Sequence, residues 1–194
     1  MYDDSATMNQ DEKTPFASSS LYGLAKITEG SLVKYYRNKG LHASVAILFN
    51  HESSRRSDSF VTKKIVKNLV AYKKGKIKSF TLGALDFKKD WGYAKDYVNA
   101  IYLMAQQNLA DDYIVASGVN YSIEQFVQIA ADKLGIDNWR VAVELNKNIL
   151  SRKVNTNLLG NCELTKKKLG WEHTLDLGSL IELMIKNELE GDLK

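Results

Sequence analysis

The sequence predicts an α/β fold with some parallel sheet, because short runs of branched apolar residues alternate with longer helix-spaced stretches along the 194 residues. Glycines at 40, 75 and 135 stand where helix-spaced stretches stop. No period of roughly 20 to 50 residues recurs, which excludes solenoids and propellers. At 44% hydrophobic and 26% charged, the chain can bury a core of one or two lobes.

The first helix is expected in "LYGLAKITEGSLVKYYRNKG", behind a serine run able to cap it and ahead of Gly40. "ASVAILF", residues 43 to 49, reads as a strand buried on both faces. "SDSFVTKKIVKNLVAYKKG" places Val61, Ile65, Leu69 and Tyr72 on one helical face behind a Ser/Asp cap. "SFTLG" reads as a strand. "AKDYVNAIYLMAQQ" reads as a helix with Val98, Ile101, Tyr102 and Ala105 on or near its inner stripe. "DYIVASG" is a second buried strand, leading through a turn to "SIEQFVQIAADKLG", where Ser122 and Gln125 have capping-box spacing and Gly135 closes the helix. "WRVAVEL" alternates like a strand with one wet face, "CELTKKKLG" is a short helix, and "LGSLIELMIKNELEG" is a final amphipathic one. With Pro15 as its single proline, the chain offers no compositional linker.

Several function classes fall away. No apolar run approaches the roughly 20 residues of a membrane span, and "MYDDSATMNQ" has neither a basic flank nor a greasy stretch, so a cytoplasmic protein without a membrane partner is expected. Cys162 alone excludes an internal disulfide, and His42, His51 and His173 have no metal-ligand spacing, so no metal is expected. The formal charge of +4 suits an anionic ligand, although much of it is lysine on helix faces. The basic stretch "KKIVKNLVAYKKGKIK" lacks the aromatic interleaving and docking motif of a nucleic-acid binder, and no nucleic-acid partner is expected.

Tyr22 and Lys26 stand four apart and project from one helix face. A nearby ammonium stabilises a phenolate, which suits a tyrosine for proton transfer. Tyr-x-x-x-Lys alone is weak. Here it precedes "ILFNHESSRRSDSFVTKKI", "LGALDFKKDWGYAKDYVNAIYLM" and "DDYIVASG", and the tail carries "LLGNCELTKKKLGW". This ordered set resembles the extended short-chain dehydrogenase/reductases, and within them most closely the GDP-mannose 4,6-dehydratase family. The resemblance spans essentially the whole chain.

The resemblance implies the remnant of a Rossmann-type parallel sheet, from about residues 1–59 and 93–120. It implies a smaller α/β substrate-binding lobe, from about residues 60–92 and 121–194. It implies a lyase acting on GDP-mannose with NADP, in which a hydride leaves C4 of the hexose and returns at C6, a carboxylate removes the C5 proton, and water leaves from C6. By that resemblance Tyr22 is the base at the C4 hydroxyl, and Lys26 holds the nicotinamide ribose and depresses the tyrosine pKa. His51 and Arg56 match cofactor contacts. Asn50, Lys64, Lys89 and Arg152 match substrate positions, Arg152 pairing with the diphosphate. Asp90 and Trp91 read instead as a structural turn. A homo-oligomer is implied.

The departures are specific. Lys89 stands where the family has arginine, which loses bidentate geometry. "RKVNTN" replaces "RP-x-(E/D)-V", and Leu21 replaces a proline. No G-x-x-G-x-x-G occurs to hold a dinucleotide pyrophosphate. Met1 and Tyr2 align with the end of a "(S/T)-S-E-M-(F/Y)" block, so the chain is expected to begin just after the catalytic glutamate. Neither Glu12 nor Glu29 is assigned in its place. The expected function is therefore that of a dehydratase, incomplete in this chain alone, with weakened retention of NADP. The alternatives are a nucleotide-sugar reductase or epimerase, and a non-catalytic nucleotide-sugar-binding or assembly fragment. An open apolar edge on the strand at 43 to 49 is expected to leave the chain self-associating, marginally folded or in need of a partner polypeptide carrying the first half.

Overall fold

The computed structural model describes residues 2, 9–146 and 158–191. The chain forms two compact units. The first comprises Met1–His51, Lys89–Asn120 and Asn155–Thr174; the second comprises Glu52–Lys88, Tyr121–Val154 and Leu175–Lys194.

In the first unit, helix α1 (Leu21–Arg37) begins at Ser20, whose hydroxyl accepts the Gly23 N–H, so the serine run does supply the cap. Strands β1 (Val45–Leu48) and β5 (Asp112–Val115) pair in parallel with Val45 opposite Asp112 and Leu48 opposite Val115. Arg37 fastens the end of α1 to this pair, its Nε donating to the Ala43 carbonyl at 2.6 Å and its Nη2 meeting Asp112 Oδ1 at 2.6 Å. Helices α3 (Ala94–Ala105) and α5 (Glu163–Leu169) also belong to this unit, and its core includes Ile47, Phe49, Tyr97, Met104, Ile114 and Trp171.

The two edges of this parallel pair differ. The outer edge of β5 is satisfied by side chains: the Ile114 N–H donates to Glu12 Oε1 at 3.0 Å, and the Ile114 carbonyl accepts the Thr165 hydroxyl. On β1, the Val45 and Phe49 N–H groups reach back to β5. The alternation of a parallel ladder therefore turns the N–H and C=O of Ala46 and Leu48 to the opposite edge, where no strand is paired among the described residues. The expectation of a strand buried on both faces is corrected here: Ile47 is buried, but Leu48 is 38% exposed.

Helix α3 overturns its expected stripe. Val98 is 64% and Tyr102 62% exposed, whereas Tyr97, Ala100 and Met104 are buried. The helix is apolar nearly all round, so composition did not single out its inner face. Gly92 made room for the true one: a Cβ there would lie 2.5 Å from the Tyr97 ring.

The second unit holds helices α2 (Val61–Lys73), α4 (Ile123–Leu134) and α6 (Leu177–Gly191) with parallel strands β3 (Phe80–Leu82) and β7 (Val143–Leu145). Ile65 and Leu69 of α2, Phe126 and Ala130 of α4, and Leu180 and Met184 of α6 are buried. The Ser122–Gln125 capping box forms as the spacing implied, and Gly135 closes α4 at φ 63°. Helix α2 differs from expectation: its N-cap is Phe60, without a side-chain cap. "WRVAVEL" splits into a 3-10 turn at Trp139–Val141 followed by β7, because the buried Trp139 indole donates to Gln128 Oε1 at 2.7 Å and draws the chain inward. Three short strands escaped the sequence reading: β2 (Asn50–Glu52) and β4 (Lys88–Tyr93), which fall mostly in the first unit, and β6 (Asn120–Ser122), which falls mostly in the second. Their polar residues carry no apolar run.

Candidate functional site

The cap at Ser20 starts α1 so that Tyr22 and Lys26 share one face. The Lys26 ammonium lies 5.8 Å from the centroid of the Tyr22 ring, within cation-π range. Tyr22 is 74% exposed, and Lys26 is also paired with Glu29 at 2.7 Å. The hydrogen bond and charge of Glu29 hold the Lys26 amine above its ordinary pKa. The two carboxylates nearest in sequence are thus both engaged, Glu29 by Lys26 and Glu12 by the Ile114 N–H.

At the carboxyl end of β1 stand Asn50 and His51, where ligands of open parallel sheets bind. The Asn50 amide donates to the Asp90 carbonyl at 3.0 Å. His51 Nδ1 is 2.9 Å from the Phe49 carbonyl, and the imidazole packs on Tyr97 with centroids 5.2 Å apart. Beside them Asp90, fully buried, gathers the Ser117 N–H at 2.8 Å, the Ser117 hydroxyl at 2.7 Å and the Gly118 N–H at 3.0 Å. Gly118 sits at φ 75°, which glycine adopts without strain. Burial pushes the Asp90 carboxyl above its usual range against the pull of these hydrogen bonds and that of the Gly160 N–H. A recess nearby is bordered by Ser117, Gly118, Gly160, Asn161, Cys162 and His173, and by none of the residues assigned a catalytic, cofactor or substrate role from the sequence.

In the second unit Arg56 is turned onto its own loop. Its Nε lies 3.1 Å from Glu52 Oε2, and its guanidinium stacks 3.5 Å from the Phe60 centroid. Glu52, 2% exposed, also accepts the Thr62 hydroxyl at 2.7 Å. Lys64 is half-buried in the first turn of α2, and in the first unit Lys89 is half-buried in β4. Arg152 lies outside the described residues.

The structure therefore brings Tyr22 together with Lys26, and Asn50 and His51 together around Asp90 and Tyr97. The hydrogen bonds of Asn50 and His51 go to Asp90 and Phe49, not to Tyr22 or Lys26. Sequence reasoning missed Tyr97 as the platform under His51 and Glu52 as the partner of Arg56. The four-residue interval from Glu52 to Arg56 was the available signal for the second.

The family description for GDP-mannose 4,6 dehydratase matches residues 1–184. GDP-mannose 4,6 dehydratase 1 of Arabidopsis thaliana is 37% identical over 182 residues, covering 93% of this chain and 50% of its own length. GDP-mannose 4,6-dehydratase of Vibrio cholerae is 34% identical over 208 residues, covering 93% of this chain and 56% of its own. The chain thus spans about half the length of the curated relatives it matches. The structure of RMD from Pseudomonas aeruginosa complexed with NADPH superposes at TM-score 0.83 and 18% identity over 94% of this chain and 60% of that one, which places the fold among Rossmann-type α/β proteins. With 184 residues of ordered motifs matched, the chain belongs to the GDP-mannose 4,6-dehydratase family.

Proposed function

We propose that this chain is the tyrosine-bearing portion of a nucleotide-sugar dehydratase, converting GDP-mannose to its 4-keto-6-deoxy product. The observation that carries the reading is the Tyr22–Lys26 pair, with the ammonium 5.8 Å from the ring on one helix face inside a sequence that matches the family over residues 1–184. In this reading Tyr22 takes the proton of the C4 hydroxyl, and Lys26 places a positive charge beside the phenolate that forms. NADP, when bound, supplies the hydride acceptor, and Tyr22, Lys26 and His51 would hold its nicotinamide end. These side chains suit that end, whereas the chain contains no glycine-rich turn for the pyrophosphate. The roles of Arg56, Lys64, Lys89 and Arg152 rest on the motif match.

The test combines this chain with a polypeptide supplying the glycine-rich half, GDP-mannose and NADP. Formation of the 4-keto-6-deoxy sugar without net cofactor consumption is expected, and Tyr22→Phe should slow it by about 10² to 10⁴-fold. Stoichiometric cofactor consumption would mean a reductase and overturn the proposal.

One observation favours a second reading, a non-catalytic nucleotide-sugar-binding module: Glu12 and Glu29 are both engaged, which leaves the elimination step without an assigned carboxylate. Calorimetry with GDP on the chain alone separates the two, since binding without turnover in the reconstituted mixture supports the module.

A further inference from the structure

The Phe49 carbonyl fixes more than the position of His51. A carbonyl oxygen only accepts, so a ring nitrogen 2.9 Å from it must carry the proton. In the neutral ring His51 is thereby held as the Nδ1–H tautomer, the reverse of the Nε2–H form that imidazole side chains favour in water. Its Nε2 is left with a bare lone pair, and no described residue donates to it. The ring cannot readily turn to exchange the two nitrogens. Tyr97, buried, lies against the imidazole at a centroid distance of 5.2 Å and an interplanar angle of 37°. Tyr97 is in turn seated by the missing side chain of Gly92 and by an edge contact from Trp171, centroids 6.5 Å apart.

We infer that His51 presents a hydrogen-bond acceptor at the carboxyl end of β1, with Tyr97 as its positioning residue, and that it selects a neutral donor on the ligand, a hydroxyl or an amide N–H. A phosphate or carboxylate oxygen is disfavoured there, because lone pair would face lone pair. This rests on the dehydratase reading for the ligand's identity but not for the state of the ring. Two sources offer that chemistry, the carboxamide of a nicotinamide cofactor and the hydroxyls of a hexose.

The tautomer is read from long-range ¹H–¹⁵N spectra of the ¹⁵N-labelled chain at a pH where the ring is neutral. His51 is assigned by loss of its signals in His51→Gln. A protonated Nδ1 and a bare Nε2 are expected, with the hydrogen bond biasing the ring by about tenfold. A predominant Nε2–H form overturns the inference, whatever the enzyme proves to catalyse. Tyr97→Leu is expected to yield a mixture of tautomers while Tyr97→Phe keeps the Nδ1–H form, and a mixture in Tyr97→Phe removes the ring-stacking role. NADP and GDP-mannose are then added separately. The one that supplies the donor shifts Nε2 toward the shielded side with Nδ1 still protonated. A shift with inorganic phosphate instead, or with neither nucleotide, overturns the selection of a donor.

Discussion

At the scale of single residues, Asp90 binds together segments distant in sequence. Its two oxygens serve Ser117, Gly118 and Gly160, so truncation leaves several backbone N–H groups without their acceptor at once. Asp90→Ala is expected to cost about 3 kcal/mol in urea unfolding, and a loss below about 1 kcal/mol would show that these groups find other partners. Because burial raises the folded pKa of Asp90, its contribution is complete below the ordinary value of 3.8 and is lost as pH rises through the folded value. The stability gap between wild type and Asp90→Ala should therefore narrow with rising pH in that window. Lys26 gives a second prediction. With the Glu29 hydrogen bond removed in Glu29→Ala, the amine should titrate lower, back toward 10.5, as followed by its side-chain resonances; an unmoved titration would sink the pairing. The Tyr22–Lys26 face was legible because it depends only on helical spacing. The Asp90 hub was not, because its donors arrive from 27 and 28 residues away.

At the scale of elements, capping boxes and terminal glycines were readable in α4, where each signal is local. Helix α3 was not, since deciding which of its apolar sides faces inward required knowing that β4 leaves a gap at Gly92 for Tyr97. The inverted stripe makes a direct prediction. Tyr97→Ala should cost about 3 to 5 kcal/mol, as for large aromatic truncations in a core. Val98→Lys, on the exposed side, should stay within about 0.5 kcal/mol. Equal costs in chemical denaturation would restore the stripe read from sequence. Helix α5 carries a related test: Thr165→Val keeps the side-chain shape but leaves the Ile114 carbonyl of β5 without its hydroxyl, at about 1 to 3 kcal/mol.

At the scale of the molecule, the alternation of strand and helix announced the α/β class, but the condition of each sheet edge was hidden. Glu12 precedes β5 by a hundred residues and Thr165 follows it by fifty, and nothing local marks either as an edge cap. Among the described residues the edge of β1 has no such cover: Ala46 and Leu48 turn their backbone groups outward, and α1 beside them in sequence exposes Leu21, Leu24 and Leu32. A strand with unpaired amides and apolar side chains is a template for another strand, whereas a capped one is not. The chain is therefore expected to self-associate through β1, with a sedimentation coefficient that rises with protein concentration. Leu48→Lys places a charge on that edge without emptying the core, because the leucine is already partly exposed, and it should return the chain toward a monomer. A matching charge on β5, whose outer groups are satisfied, has no reason to change the assembly. If wild type sediments as a sharp monomer at all concentrations, the β1 edge is not the adhesive surface its geometry implies.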